Sequence, residues 1–145
     1  ISFVKRAAAS SDELLSKIDG MDVKPGEELI HLIALGATEA YGPNRNGDGF
    51  SKEASRKYHD TFVKHAHFYR DHKNTDPKKS YGIVKASAFN EAMSRIELIV
   101  ALNANERAAK ANNGLVADRE MEKLASGKDI ALSMACGVPF DVCSY

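Results

Sequence analysis

The chain has 145 residues, enough for one domain with a sizeable core and too few for two full ones. Its 20 basic and 20 acidic residues cancel, which argues against a general nucleic-acid or membrane-surface binder, and 43% apolar content is that of a folded protein. No run approaches the roughly 20 apolar residues needed to cross a bilayer, and the opening Ile1-Ser2-Phe3-Val4-Lys5-Arg6 is not a secretory signal.

The chain begins at Ile1 rather than Met and stops at Cys143-Ser144-Tyr145, so the expectation is that sequence is missing from one or both ends. Its two cysteines, Cys136 and Cys143, make no disulfide framework and read as reduced thiols of an intracellular protein. They also resemble half of a metal knuckle, but two ligands do not make a zinc site.

From Ala7 to Ile18 a short amphipathic helix is predicted. Ser10 and Ser11 offer a cap, Asp12 and Glu13 suit the positive end of the helix dipole, and Leu14, Leu15 and Ile18 share a stripe that Gly20 ends. Two readings stand for this segment, a helix packed on the domain or a detachable arm; the division adopted is an arm over 1–20 and a main domain over 21–145. After the Pro25-Gly26 turn, the run from Glu28 to Thr38 is nearly continuously apolar, as a strand covered on both sides requires. His31 inside it reads as a core or barrel-wall histidine rather than a ligand.

Gly42-Pro43-Asn44-Arg45-Asn46-Gly47-Asp48-Gly49-Phe50 is the most loop-like segment. It imitates the start of a calcium loop, but the required bidentate glutamate is replaced by Ser55. A helix is predicted from Ser51, with Ala54, Tyr58 and Phe62 on a core-facing stripe.

Three of the five histidines, His65, His67 and His72, then fall close together. One reading is a metal site completed by Asp71 or Asp76, since imidazole and carboxylate suit zinc. The helical H-E-x-x-H pattern is absent, however, and in an extended segment His65 and His67 share a face that His72 does not. A second reading makes one histidine the general base for a distant hydroxyl. The third is an exposed polar loop.

Tyr81 to Phe89 and Ser94 to Asn103 alternate apolar and polar positions and, joined through Asn90-Glu91-Ala92-Met93, predict a β-hairpin. Ile83, Lys85, Ser87 and Phe89 are expected on one face, with Val84, Ala86 and Ala88 on the other. Two short helices follow, Asn105 to Ala111 and Val116 to Ala125, the second presenting Val116, Met121 and Leu124. Gly127 stops it and leads into Asp129-Ile130-Ala131-Leu132-Ser133-Met134-Ala135-Cys136, a short apolar strand with one hydroxyl in its middle. Ser133 is either a small residue filling a tight spot or a nucleophile held by a packed strand; no G-x-S-x-G elbow surrounds it.

This order of parts resembles that of the phage prohead maturation proteases, relatives of the herpesvirus assemblins. The resemblance runs from about Leu29 to Cys143. Gly42-Pro43-Asn44-Arg45-Asn46-Gly47 is similar to the Asn-x-Asn-Gly stretch of the T4-like branch. Asp71-His72-Lys73-Asn74 with Tyr81-Gly82-Ile83-Val84 is similar to the histidine and Gly-x-Val block, and Ile130-Ala131-Leu132-Ser133-Met134 to the serine strand.

The resemblance implies an α+β fold, a small and mainly antiparallel β-barrel with flanking helices of the herpesvirus-protease type. It implies a serine endopeptidase with Ser133 as nucleophile and His72 as general base, needing no cofactor or metal. The implied substrates are scaffold and major capsid proteins inside the immature capsid, in the host cytoplasm, and the enzyme itself; a homo-oligomer is expected, and neither nucleic acid nor membrane as partner. In the herpesvirus relatives a second histidine follows the serine, but none follows His72 here. The orienting group is then Glu97, Asp71, Asp141, His65, His67 or a residue past Tyr145, and His67 is a rival base. Two other functions remain open: a metal-dependent hydrolase using His65, His67 and His72, and a non-catalytic capsid scaffold or assembly module.

Overall fold

The computed structural model describes residues 4–5, 12–43, 47, 49–65, 67–70 and 76–128. Its centre is the apolar run after Gly26, which forms strand β2 (Glu27–Gly36); a two-residue strand, β1 (Val4–Lys5), precedes it, as does helix α1 (Asp12–Ile18). The predicted hairpin is present as β4 (Gly82–Asn90) and β5 (Arg95–Asn103), and a short strand β3 (His67–Phe68) lies on its outer side. The strand order is β1-β2-β5-β4-β3. β1 runs parallel to β2, and the other four strands form a curled antiparallel half-barrel, giving an α+β fold with several helices.

β5 is the centre of this sheet because every one of its residues is buried, so both faces need cover. On one face Ile96, Leu98, Val100 and Leu102 meet Ile30 and Leu32 of β2 and Val84 and Phe89 of β4. On the other, Ile99 and Ala101 meet Leu29, Ala86 and Ala88, and Leu14 of α1 closes that cluster with no exposed surface. Burying one leucine in this way contributes about 2 kcal/mol. α1 is therefore packed on the sheet through Leu14 and Ile18 of the predicted stripe, while Leu15 is outside that cluster.

Two register shifts bend the sheet. One lies between Ile33 and Leu35 in the β2–β5 pairing, the other between Val84 and Ala86 in the β4–β5 pairing. Each adds an unpaired residue that increases local twist. The second shift also corrects the expected alternation of β4. With Lys85 extra, Val84 joins Phe89 in one cluster while Ala86 and Ala88 fill the other.

The helix expected from Ser51 is present but divided into α3 (Lys52–Tyr58) and α4 (Thr61–His65), after a single turn α2 (Thr38–Tyr41). The Ser51 side chain caps α3 by accepting from the Ala54 N–H at 3.1 Å. The predicted stripe fails at Tyr58, which is 54% exposed; the buried residue of α3 is Ser55. The break at His59-Asp60 resets the helical phase, so Phe62 alone of the outer pair packs on the core. Helices α5 (Glu106–Ala111) and α6 (Asp118–Ala125) follow β5, with Asn105 capping α5. Val116 precedes α6, and the buried contact at that point is Ala117.

Two glycines are dictated by geometry. A Cβ on Gly82 would stand 2.7 Å from the Ala101 carbonyl oxygen of the neighbouring strand. Gly127 has φ +74 where α6 stops, with its N–H on the Leu124 carbonyl and that of Lys128 on the Lys123 carbonyl.

Candidate functional site

The two residues on which the family resemblance rests its chemistry, Ser133 and His72, lie outside the described residues, as do Asp71, Asp141, Cys136, Cys143 and the Asn44 to Asn46 part of the loop. The structure does describe both supports of the histidine segment. On the upstream side Phe68 pairs with Gly82, and the Tyr81 N–H donates to the Phe68 carbonyl at 2.7 Å. Downstream, Asp76 caps the short turn Pro77–Lys79 by accepting from the Lys78 N–H at 3.0 Å.

Arg70 holds the chain between these supports. Its guanidinium lies 3.8 Å from the centre of the Tyr81 ring, donates to Glu120 Oε2 at 3.0 Å and to Asp118 Oδ1 at 2.8 Å. Those hydrogen bonds keep the Asp118 carboxyl below its usual range. Phe68 and Arg70, the last described residues before His72, therefore stand at the Gly82 end of β4, with Arg70 tied to α6.

Glu97, considered as an orienting carboxylate, is in a different place. It pairs across to Ala88 on β4 and Ile33 on β2, about 17 Å along β5 from the Gly82 level at ~3.3 Å per residue. There it has no exposed surface. Arg95 Nε donates to its Oε2 at 2.8 Å, Asn90 Nδ2 to the same oxygen at 3.1 Å, and His31 Nε2 stands 3.5 Å from Oε1. Three strands thus bring one acid, two bases and an amide into a dry cluster. A buried carboxylate is tolerated only with such partners. The expectation of a buried His31 matches its 7% exposure.

His67, the rival base, sits opposite Ile83 on β3. Its Nδ1 is buried with no hydrogen-bond partner among the described residues, and its ring is tilted against Tyr69 at 6.0 Å. No group of three metal-binding side chains occurs among the described residues; the His65 side chain is outside them.

Sequence reading missed one pair. His59, at the break between α3 and α4, places Nδ1 2.7 Å from Ser87 Oγ on β4. Burial, and then the nearby Lys17 ammonium, hold the His59 imidazole below its ordinary range, so it is neutral at pH 7. A neutral imidazole on a serine hydroxyl is the geometry of an activated nucleophile. Here Ser87 is only 2% exposed, which closes it to a substrate and makes the pair a tie between helix and sheet. Lys17 Nζ reinforces it by donating to the Ser87 carbonyl at 2.7 Å. Nothing in the local sequence signals this contact, because the fold alone brings the two residues together.

The chain matches no family model, no curated protein and no solved structure with which it was compared.

Proposed function

We propose that this chain is a serine endopeptidase of phage capsid maturation, built on a herpesvirus-protease-like barrel, with Ser133 as nucleophile and His72 as general base. In this reading the imidazole takes the hydroxyl proton as the oxygen attacks a peptide carbonyl of scaffold or capsid protein, then returns it to the leaving amine. Backbone N–H groups would stabilise the oxyanion, a contribution of about 3 kcal/mol per donor.

The observation that carries the reading is the pairing of Phe68 with Gly82. Phe68, four residues before His72, lies beside Gly82, which opens the Gly-Ile-Val segment that the resemblance joins with the histidine into one block. The glycine is required there because the Ala101 carbonyl leaves no room for a side chain. The order of elements, from β2 through α3 and α4 to the hairpin, α5 and α6, is also the order the resemblance implies.

The test is incubation of wild type, Ser133→Ala and His72→Ala with scaffold protein of the parent phage. Wild type should cut scaffold and itself, and both variants should lose cleavage with unchanged circular dichroism. Equal absence of cleavage in wild type and Ser133→Ala would leave a non-catalytic assembly module. Full activity in His72→Ala together with its loss in His67→Ala would transfer the base to His67.

A further inference from the structure

Ser87 on β4 is held from two sides. Its hydroxyl lies 2.7 Å from His59 Nδ1 at the break between α3 and α4, and its carbonyl oxygen accepts from Lys17 Nζ of α1, also at 2.7 Å. An imidazole and an ammonium thus converge on one residue from two separate parts of the chain. α1 also packs on the sheet through Leu14 and Ile18, so Lys17 adds a polar anchor to an apolar contact.

The charges around this point are already shared out. On α1, Glu13 lies 3.3 Å from Lys17 and offsets part of its charge. At the break, Asp60 faces the imidazole but is itself paired with Lys64 of α4 at 3.0 Å. Arg56 of α3 is bound to Glu91, and Lys85 of β4 is turned to Glu27 at 3.6 Å. A proton on His59 would therefore add a second cation beside Lys17 in a half-buried place, where like charges repel strongly. Burial first and Lys17 second disfavour that proton, and Glu13 and Asp60 only reduce the effect.

The Ser87 hydroxyl can donate to a neutral Nδ1 or accept from a protonated one, so this bond survives protonation and the cost falls on Lys17. Lys17 acts on His59 only while α1 is docked. If docked α1 disfavours the proton, the proton disfavours docking by the same factor.

We infer that His59, Ser87 and Lys17 form a proton-operated latch that loosens α1 from the sheet in acid. Docking is strongest above about pH 6.5 and weakens as the pH falls through the lower value that His59 has in the docked state. Because the burial of Leu14 persists, the latch scales the docking equilibrium instead of abolishing it, by about fivefold at the low end of such couplings. The latch concerns the packing of the chain on itself and holds whether or not the chain is a protease.

The experiment is amide hydrogen exchange on the full chain at about pH 7.5 and about pH 5.5, read as protection factors so that the intrinsic pH dependence of exchange cancels. Protection at Lys17 and Ile18 should fall about fivefold in acid while that of Val100 in β5 holds. In His59→Gln, whose amide can still hydrogen-bond the Ser87 hydroxyl but takes up no proton, protection of α1 should not change with pH. Lys17→Met should raise the midpoint of the His59 ring titration followed by NMR, and Glu13→Gln should enlarge the acid response of α1. An equal fall at α1 and Val100, or a fall that persists in His59→Gln, would overturn the inference. If His59→Gln does not fold, Lys17→Met decides: an unchanged His59 midpoint there would overturn it, and a raised one would uphold it.

Discussion

His59 Nδ1 and Ser87 Oγ meet at 2.7 Å, joining the break between α3 and α4 to the sheet. The contact is closed to solvent on the serine side, so its consequence is stability. Ser87→Ala should cost about 1–2 kcal/mol in urea unfolding, because it leaves a half-buried imidazole nitrogen without its partner.

The same pair fixes a pH dependence. The His59 imidazole is held below its ordinary 6.5 by burial first and by Lys17 second, so the unfolded chain binds its proton more readily than the folded one. Stability from this group is fully present above about pH 6.5 and declines as the pH falls through the lower folded value. Glu13 and Asp60 oppose the shift without reversing it. Unfolding midpoints of wild type and His59→Gln, followed from pH 8 to 5, should converge toward the acid end; parallel curves would exclude His59 as the source.

Arg70 neutralises Glu120, which is 6% exposed, and lies over Tyr81. Arg70→Met strands that carboxylate and should destabilise by about 3 kcal/mol, while Arg70→Met with Glu120→Leu should recover most of the loss. Thermal unfolding of the single and double variants measures the difference, and a double variant no better than the single would show that Arg70 acts through stacking on Tyr81.

The position of Glu97 gives a separate test. Glu97→Gln weakens the bonds from Arg95 and Asn90 and should lower stability by about 2 kcal/mol. Because Glu97 lies about 17 Å along β5 from the Gly82 level, a protease of the proposed kind should keep the acid limb of its pH profile in place. A displaced limb would mean that Glu97 acts on the catalytic base.

Gly82→Ala drives a methyl group against the Ala101 carbonyl at 2.7 Å and should cost about 2 kcal/mol. Since Gly82 also faces Phe68, amide exchange at Tyr81 should accelerate more than at the centre of β5. Equal acceleration at both would point to global loosening.

The sequence alone determined the pieces whose signals are local. Continuous apolarity marked β2, alternation marked the β4–β5 hairpin, Ser51 and Gly127 marked helix ends, and Leu14 marked the buried side of α1; each depends on neighbours within a turn or a pleat. The tertiary structure decided what depends on distant partners. The bulge at Lys85 exchanged the faces of β4, and α3 turned its Ser55 side inward, leaving Tyr58 exposed. The strand register put Glu97 with Arg95, Asn90 and His31, far from the support of the histidine segment. It also brought His59 to Ser87. Periodicity records which side of its own element a residue occupies, whereas the partner it meets is set by how strands slide and helices restart, and no local pattern encodes that.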